Sequence, residues 1–188
     1  SRRWLIAATE ALAHLIKHRD ISTADQWSII ASAKLLSMSN YPENILSREL
    51  IVQHTSRVCK SIFQEQILYA DDDRYVGGFS SDGRTTPTAT RVEGLLAALG
   101  IISHKDVALC NTISASVQAA LVFLLQAQIT TGKYSGGIPR AVRRLDGDRA
   151  FNRRVREVRI DYIQHALSAM IQYERVGEDS GTSKDIRR

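Results

Sequence analysis

The segment Arg159-Ile160-Asp161-Tyr162-Ile163-Gln164-His165 sets an acid and an imidazole four residues apart. On a helix that spacing lets the two side chains meet. A carboxylate beside a histidine orients the ring and raises its basicity, as a general base requires. Asp161 and His165 are therefore the candidate catalytic pair, with Tyr162 as a substrate-binding donor beside them. The competing reading of His165 is a satisfied core or boundary histidine. Arg159 stands two residues before Asp161, and Arg91-Val92-Glu93 repeats that arrangement. Residues i and i+2 of a helix leave by different faces. In each pair, then, one side chain faces a neighbouring element and the other a cavity. Arg91, Glu93 and Arg159 are substrate-binding candidates, the arginines suited to an anionic group. The alternative is a buried ion pair that holds helix register.

Two glycine pairs are the next candidates, Gly77-Gly78 in YVGGF and Gly136-Gly137 in YSGGI. Glycine accepts positive φ and close backbone approach. Such a pair is either a packing turn or a backbone-amide site for an anionic ligand. His54 lies near Leu50, Ile51 and Val58 and reads as a core histidine. His14, His18 and His104 show no ligand spacing. No zinc pattern, phosphate loop or nucleophile elbow is present, so no metal and no cofactor is expected. Cys59 and Cys110 lack ligand spacing and read as buried thiols, which fits a reducing, cytoplasmic setting. Asp71-Asp72-Asp73 reads as a capping or solvated acidic run.

These residues need helices to position them. Leu5, Ala8, Leu12, Leu15 and Ile16 share one face of an N-terminal amphipathic helix. Thr23 with Gln26 forms a capping box for a helix to about Met38. Pro42 suits the first turn of a long helix ending near Tyr69. Gly83, Thr85, Thr86 and Pro87 read as loop, followed by a helix from Thr90 to Leu99 with Gly100 as its stop. Ser103 with Asp106 opens a helix to Gln128, and the last helix covers about Arg156 to Tyr173. Residues 177–188 read as a polar, disordered tail. Strand-like alternation is absent, so the fold class is all-α, one domain over residues 1–176.

The chain also matches itself. Tyr75–Phe79 falls on Tyr134–Ile138, and a gapless alignment upstream sets Val58 on Val117 and Ile62 on Leu121. Downstream, RVEGLLAAL at Arg91–Leu99 falls on RIDYIQHAL at Arg159–Leu167. The unit is a long helix, a Tyr-x-Gly-Gly-apolar loop and a shorter helix opening Arg-apolar-acid, over about residues 44–100 and 103–173. Helical hairpins of this kind stack to bury their faces. The pattern resembles the α/α toroid repeats of the protein prenyltransferase and terpene cyclase superfamily, the squalene-hopene cyclases included. That resemblance implies stacked helical hairpins, a full or partial α/α toroid, with inner-helix starts around a polar cavity. The zinc ligands of the prenyltransferases and the acid motif of the cyclases have no counterpart here, so the fold is expected without that chemistry.

The 188 residues carry a net charge of +5 and 44% hydrophobic residues, enough for a real core. No apolar run reaches the roughly 18 residues of a membrane span. Much of the positive charge lies in Arg140, Arg143, Arg144, Arg149, Arg153, Arg154, Arg156 and Arg159, read as a solvated loop or an anion-binding surface. Only Phe151 offers a stacking surface there, which disfavours nucleic acid. The functional expectation is a ligand- or substrate-recognition domain for an anionic small molecule or a glycan, working with another domain or subunit of a larger assembly. The alternatives are a sugar-active or prenyl-type toroid enzyme using the Asp-His pair, and a structural scaffold.

Overall fold

The computed structural model describes residues 2–18, 25–102 and 106–179. Among these it holds α1 (Arg2–His18), α2 (Gln26–Leu36), α3 (Arg48–Glu65), α4 (Thr85–Leu99), α5 (Val107–Ala127), the one-turn α6 (Arg149–Asn152) and α7 (Ile160–Asp179). Two isolated β-bridges, Arg84 with Ala141 and Pro139 with Val158, are the only extended pairings among the described residues. The all-α expectation therefore stands.

Local chemistry sets the helix starts. Asp25 caps α2 by accepting from the Ser28 N–H, Ser47 caps α3 by accepting from Leu50, and Asp106 caps α5 by accepting from Leu109. The expected capping residues Thr23 and Ser103 lie outside the described residues. Pro42 precedes α3 instead of opening it, because Ser47 offers the capping hydroxyl and Pro42 does not. Helix α3 ends at Glu65, short of Tyr69, where Gln66 turns extended. Helix α7 starts at Ile160, later than Arg156, and continues past Tyr173 into the segment expected as tail.

Helix α4 starts five residues before Thr90. Its opening residues read as loop chemistry, yet tertiary bonds hold them helical. The Thr85 N–H donates to Arg140 O at 3.0 Å and the Thr85 hydroxyl to Pro139 O at 2.6 Å. The Thr88 hydroxyl accepts from the Phe79 N–H at 3.0 Å. Pro87 falls in the first turn, where no intrahelical donor is required.

Helix α4 is the centre of the molecule. It packs against α2 and α7 on its sides and against α5 and α3. Val92, Leu95, Leu96 and Ala98 are buried, joined to Ile29, Ile51, Ile62, Val117, Phe123 and Ala166 in one continuous core cluster. Gly94 permits the α2 approach: a Cβ there would lie 2.5 Å from Gln26 Cβ and 3.0 Å from its Cα. Helix α5 is long and apolar enough by composition to cross a membrane, but Ile113, Val117, Ala120 and Leu124 are core residues.

The two glycine loops share a hydrogen-bond pattern. The Ile67 N–H donates to Gly78 O at 2.9 Å and the Gly77 N–H to Ile67 O at 2.8 Å; Ile129, Gly137 and Gly136 repeat this at 2.9 and 2.7 Å. The Gln66 amide donates to Gly77 O at 3.1 Å, and Gln128 to Gly136 O at 2.9 Å. Gln66 thus corresponds to Gln128, while Tyr75 corresponds to Tyr134. Residues 68–74 on one side and 130–133 on the other make seven against four, a difference of three. The gapless upstream alignment is therefore displaced by three residues, and Ile62 corresponds to Leu124, not Leu121.

Candidate functional site

Helices α2, α4 and α7 bring one acid and one imidazole together, but not the expected acid. His165 Nδ1 lies 2.8 Å from Glu93 Oε2, with side chains 21% and 10% exposed. Asp161 instead sits 3.1 Å from Arg159 Nε in an ion pair half open to solvent, and no hydrogen bond or ion pair joins it to His165. Burial decides the choice. A carboxylate as covered as Glu93 is costly without a partner, whereas the Asp161 side chain is 43% exposed and already faces the Arg159 guanidinium, its Oδ1 covered by neighbours. The acid of the pair is therefore Glu93, and Asp161 is corrected to a rim residue. A carboxylate only accepts, so His165 carries its proton on Nδ1. No hydrogen bond reaches its Nε2 from the described residues.

The neighbours of His165 form an open cleft of about 530 Å³. Trp27 stands edge-on to His165, ring centroids 5.9 Å apart at 63°, and is itself 53% exposed. Arg91 lines the cleft and reaches outward from α4 in a different direction from Glu93, as the i, i+2 geometry requires. Its Nε donates to Glu65 Oε2 at 2.9 Å, and its Nη1 donates to Gln26 Oε1. Arg91 thereby ties α4 to α3 and α2, while Glu93 ties α4 to α7. Arg84, also on the cleft, is held by Asp82, with Nε 2.7 Å from a carboxylate oxygen. Thr86 lines the cleft too, and its hydroxyl oxygen has no hydrogen-bond partner among the described residues.

The other candidates part from this site. Arg159 precedes α7, so the helical i, i+2 rule does not govern it, and it turns back onto Asp161. Its guanidinium also lies 5.6 Å from the Tyr162 ring centroid. Tyr162 is buried at 7% exposure, and its hydroxyl donates to Glu157 at 3.4 Å. It is a packing residue outside the cleft.

The glycine pairs do not present free amides. All four N–H groups are spent within the loops: Gly77 on Ile67 O, Gly78 on Tyr75 O, Gly136 on Ile129 O and Gly137 on Tyr134 O. A Cβ on Gly77 would lie 2.2 Å from Ala119 O, so that loop is pressed onto α5. The anion-site reading of Gly77, Gly78, Gly136 and Gly137 is corrected to a packing turn.

His54 is buried, and its Nε2 is 2.8 Å from Ser28 Oγ. The Ser28 hydroxyl is also 2.8 Å from Asp25 O, so it bridges the α2 cap and the His54 ring inside the core. Cys59 is fully buried and its thiol is pushed up to about 12 by burial, an inert state. No group of three or more metal-ligating side chains occurs among the described residues.

Sequence reasoning missed Trp27, Gln26, Glu65 and Thr86 as site residues. Trp27 had one signal, a large aromatic in the first turn of a helix beside a capping group. Its exposure depends on where α7 packs.

No family model matches the chain, and the searches of curated proteins and of solved structures returned no match to it.

Proposed function

We propose that this chain is a helical ligand-recognition domain and that the Trp27–Arg91–His165 cleft, whose histidine Glu93 holds from behind, takes a hydroxylated, glycan-type ligand. The observation that carries the reading is the convergence of an exposed Trp face with an oriented imidazole in one open cleft. A flat aromatic surface with a few fixed polar groups suits a ring that carries hydroxyls. Gln26, Arg91 and Arg84 supply further polar groups. The same reading takes α2, α4 and α7 as inner helices and α1, α3 and α5 as outer helices of a partial α/α toroid. The central position of α4 and the matched glycine loops support it. Exposed Val122 and Leu125 on α5, with Leu167 and Ile171 on α7, support a further domain or subunit beside this stack.

A second reading rests on the same dyad. An imidazole held through Nδ1 by Glu93 can, in its neutral form, accept a proton at Nε2, so a toroid enzyme acting on such a ligand would use His165 as general base. Glu93 would hold the tautomer.

A thermal-shift screen of neutral and acidic oligosaccharides on the wild type, Trp27→Ala and His165→Gln tests both. Trp27→Ala removes an exposed ring. In His165→Gln the introduced side-chain amide can still donate to Glu93, so both variants keep the fold. A ligand that stabilises the wild type and is lost in Trp27→Ala supports recognition. Turnover lost in His165→Gln with binding retained selects the enzyme. No wild-type shift, or equal shifts in all three proteins, refutes the site.

A further inference from the structure

A second cleft, of about 840 Å³, lies between the C-terminal end of α5 and the 139–156 segment, and shares no lining residue with the Trp27–His165 cleft. Arg74, Arg143, Arg144 and Arg156 line it, with Asp146 as the acid among them. Arg74 and Arg143 share one carboxylate at the rim, lying 2.8 and 3.1 Å from Asp72 Oδ2. Arg144 and Arg156 have no ion-pair partner among the described residues.

The segment that carries three of these arginines is held in place by its own bonds. The Leu145 N–H donates to Asn152 Oδ1 at 2.7 Å, and the Asn152 amide returns to Leu145 O at 2.6 Å. The Phe151 N–H donates to Asp148 at 2.8 Å. The Arg140 and Ala141 N–H groups bond to Glu157 O and Val155 O at 2.9 and 3.2 Å. Ala141, Phe151 and Val155 form a small apolar cluster under it. A loop whose charges serve only solvation has no need of this framework. Here the framework brings like charges to one cleft against their repulsion, which a ligand of opposite sign relieves.

The chemistry of the lining narrows the ligand. Guanidinium forks match phosphate and carboxylate oxygens two at a time. No aromatic ring lines the cleft, so nothing stacks a nucleobase. Thr130, Thr131 and Gln126 add hydroxyl and amide donors. We infer that this basic cleft is a binding site for a small molecule bearing two or more oxyanion groups, phosphate or carboxylate. This site is independent of the glycan cleft and stands if that cleft is refuted.

The test is isothermal titration of the full chain with pyrophosphate and, separately, with citrate, at low and at physiological salt. The variants are Arg144→Ala/Arg156→Ala and, as a control that removes equal charge from α3, Arg57→Ala/Lys60→Ala. Circular dichroism verifies that each is folded. Saturable one-site binding of at least one probe is expected, weakened at least about tenfold in the cleft variant and nearly unchanged in the control, as lost charge-assisted bonds require. Preference for pyrophosphate assigns phosphate; equal or better citrate binding assigns carboxylate. No saturable binding of either probe overturns the inference. So does an equal loss in cleft variant and control, which would make the attraction one of net charge.

Discussion

Gly77 and Gly136 occupy equivalent places in two loops with the same hydrogen bonds, at φ of +88° and +87°. Their surroundings differ. A Cβ on Gly77 meets Ala119 O at 2.2 Å and Ala119 C at 2.7 Å, whereas one on Gly136 meets nothing within 4 Å. An alanine at either position bears the left-handed backbone cost of about 1–2 kcal/mol. Only Gly77→Ala must also push the loop off α5 by close to an ångström, an overpacking cost of about 1–3 kcal/mol. The expected losses are about 2–5 kcal/mol for Gly77→Ala and about 1–2 kcal/mol for Gly136→Ala. Urea unfolding followed by circular dichroism measures both. At this chain length each kcal/mol also lowers Tm by about 2–4 °C. Equal destabilisation by the two variants would refute the steric part of the reasoning. A neutral Gly77→Ala would refute the close approach of the loop to α5 altogether.

Three further outcomes are expected. Gly94→Ala drives a methyl to 2.5 Å from Gln26 Cβ, so it should cost about 1–3 kcal/mol in urea unfolding and loosen the Gln26–Arg91 bond at the cleft. The hydrogen bond from Arg74, assisted by Arg143, holds the Asp72 carboxyl well below the usual range, so its contribution is complete above pH 3.8 and is lost as pH falls through the lower folded value; Asp72→Asn should therefore show a shallower loss of Tm between pH 5 and pH 2 than the wild type, measured by differential scanning fluorimetry. With its thiol pushed up to about 12 by burial, Cys59 should resist iodoacetamide at pH 8 in the native protein and react once urea unfolds it, read by mass spectrometry; labelling at the rate of a free thiol in the native state would contradict its burial.

The helical class was legible because caps, stops and apolar spacing are local signals. The limits of α4 were not. Thr85, Thr86 and Pro87 have loop chemistry, and their helical state depends on Pro139 and Arg140, more than fifty residues away. The Arg-x-acid spacing predicts one side chain toward a neighbour and one toward a cavity; in the structure both are paired, Arg91 with Glu65 and Gln26 at the cleft and Glu93 with His165. For His165 the expected acid was Asp161, and the contact is with Glu93. Spacing along one helix offered Asp161, while burial of Glu93 on the neighbouring helix decided the pairing, and burial is a property of packing. Trp27 escaped for the same reason. The arginine-rich segment was read correctly in composition, but the Leu145–Asn152 bonds that order it have no signature in a charge count.

The matched loops have a practical consequence. In each, the chain is clamped where it leaves the long helix, by Gln66-Ile67 or Gln128-Ile129, and again at its glycine pair. Between the clamps one copy runs seven residues and the other four, with the same bonds closing both. The clamps, and not the span between them, set the return path of the chain. Lengthening such a span costs little, about 0.6 kcal/mol per doubling. The Gly132–Lys133 step, beyond the threonines of the basic cleft, is thus a graft point, where an epitope or a reporter peptide can be spliced in while the helices on either side keep their seats.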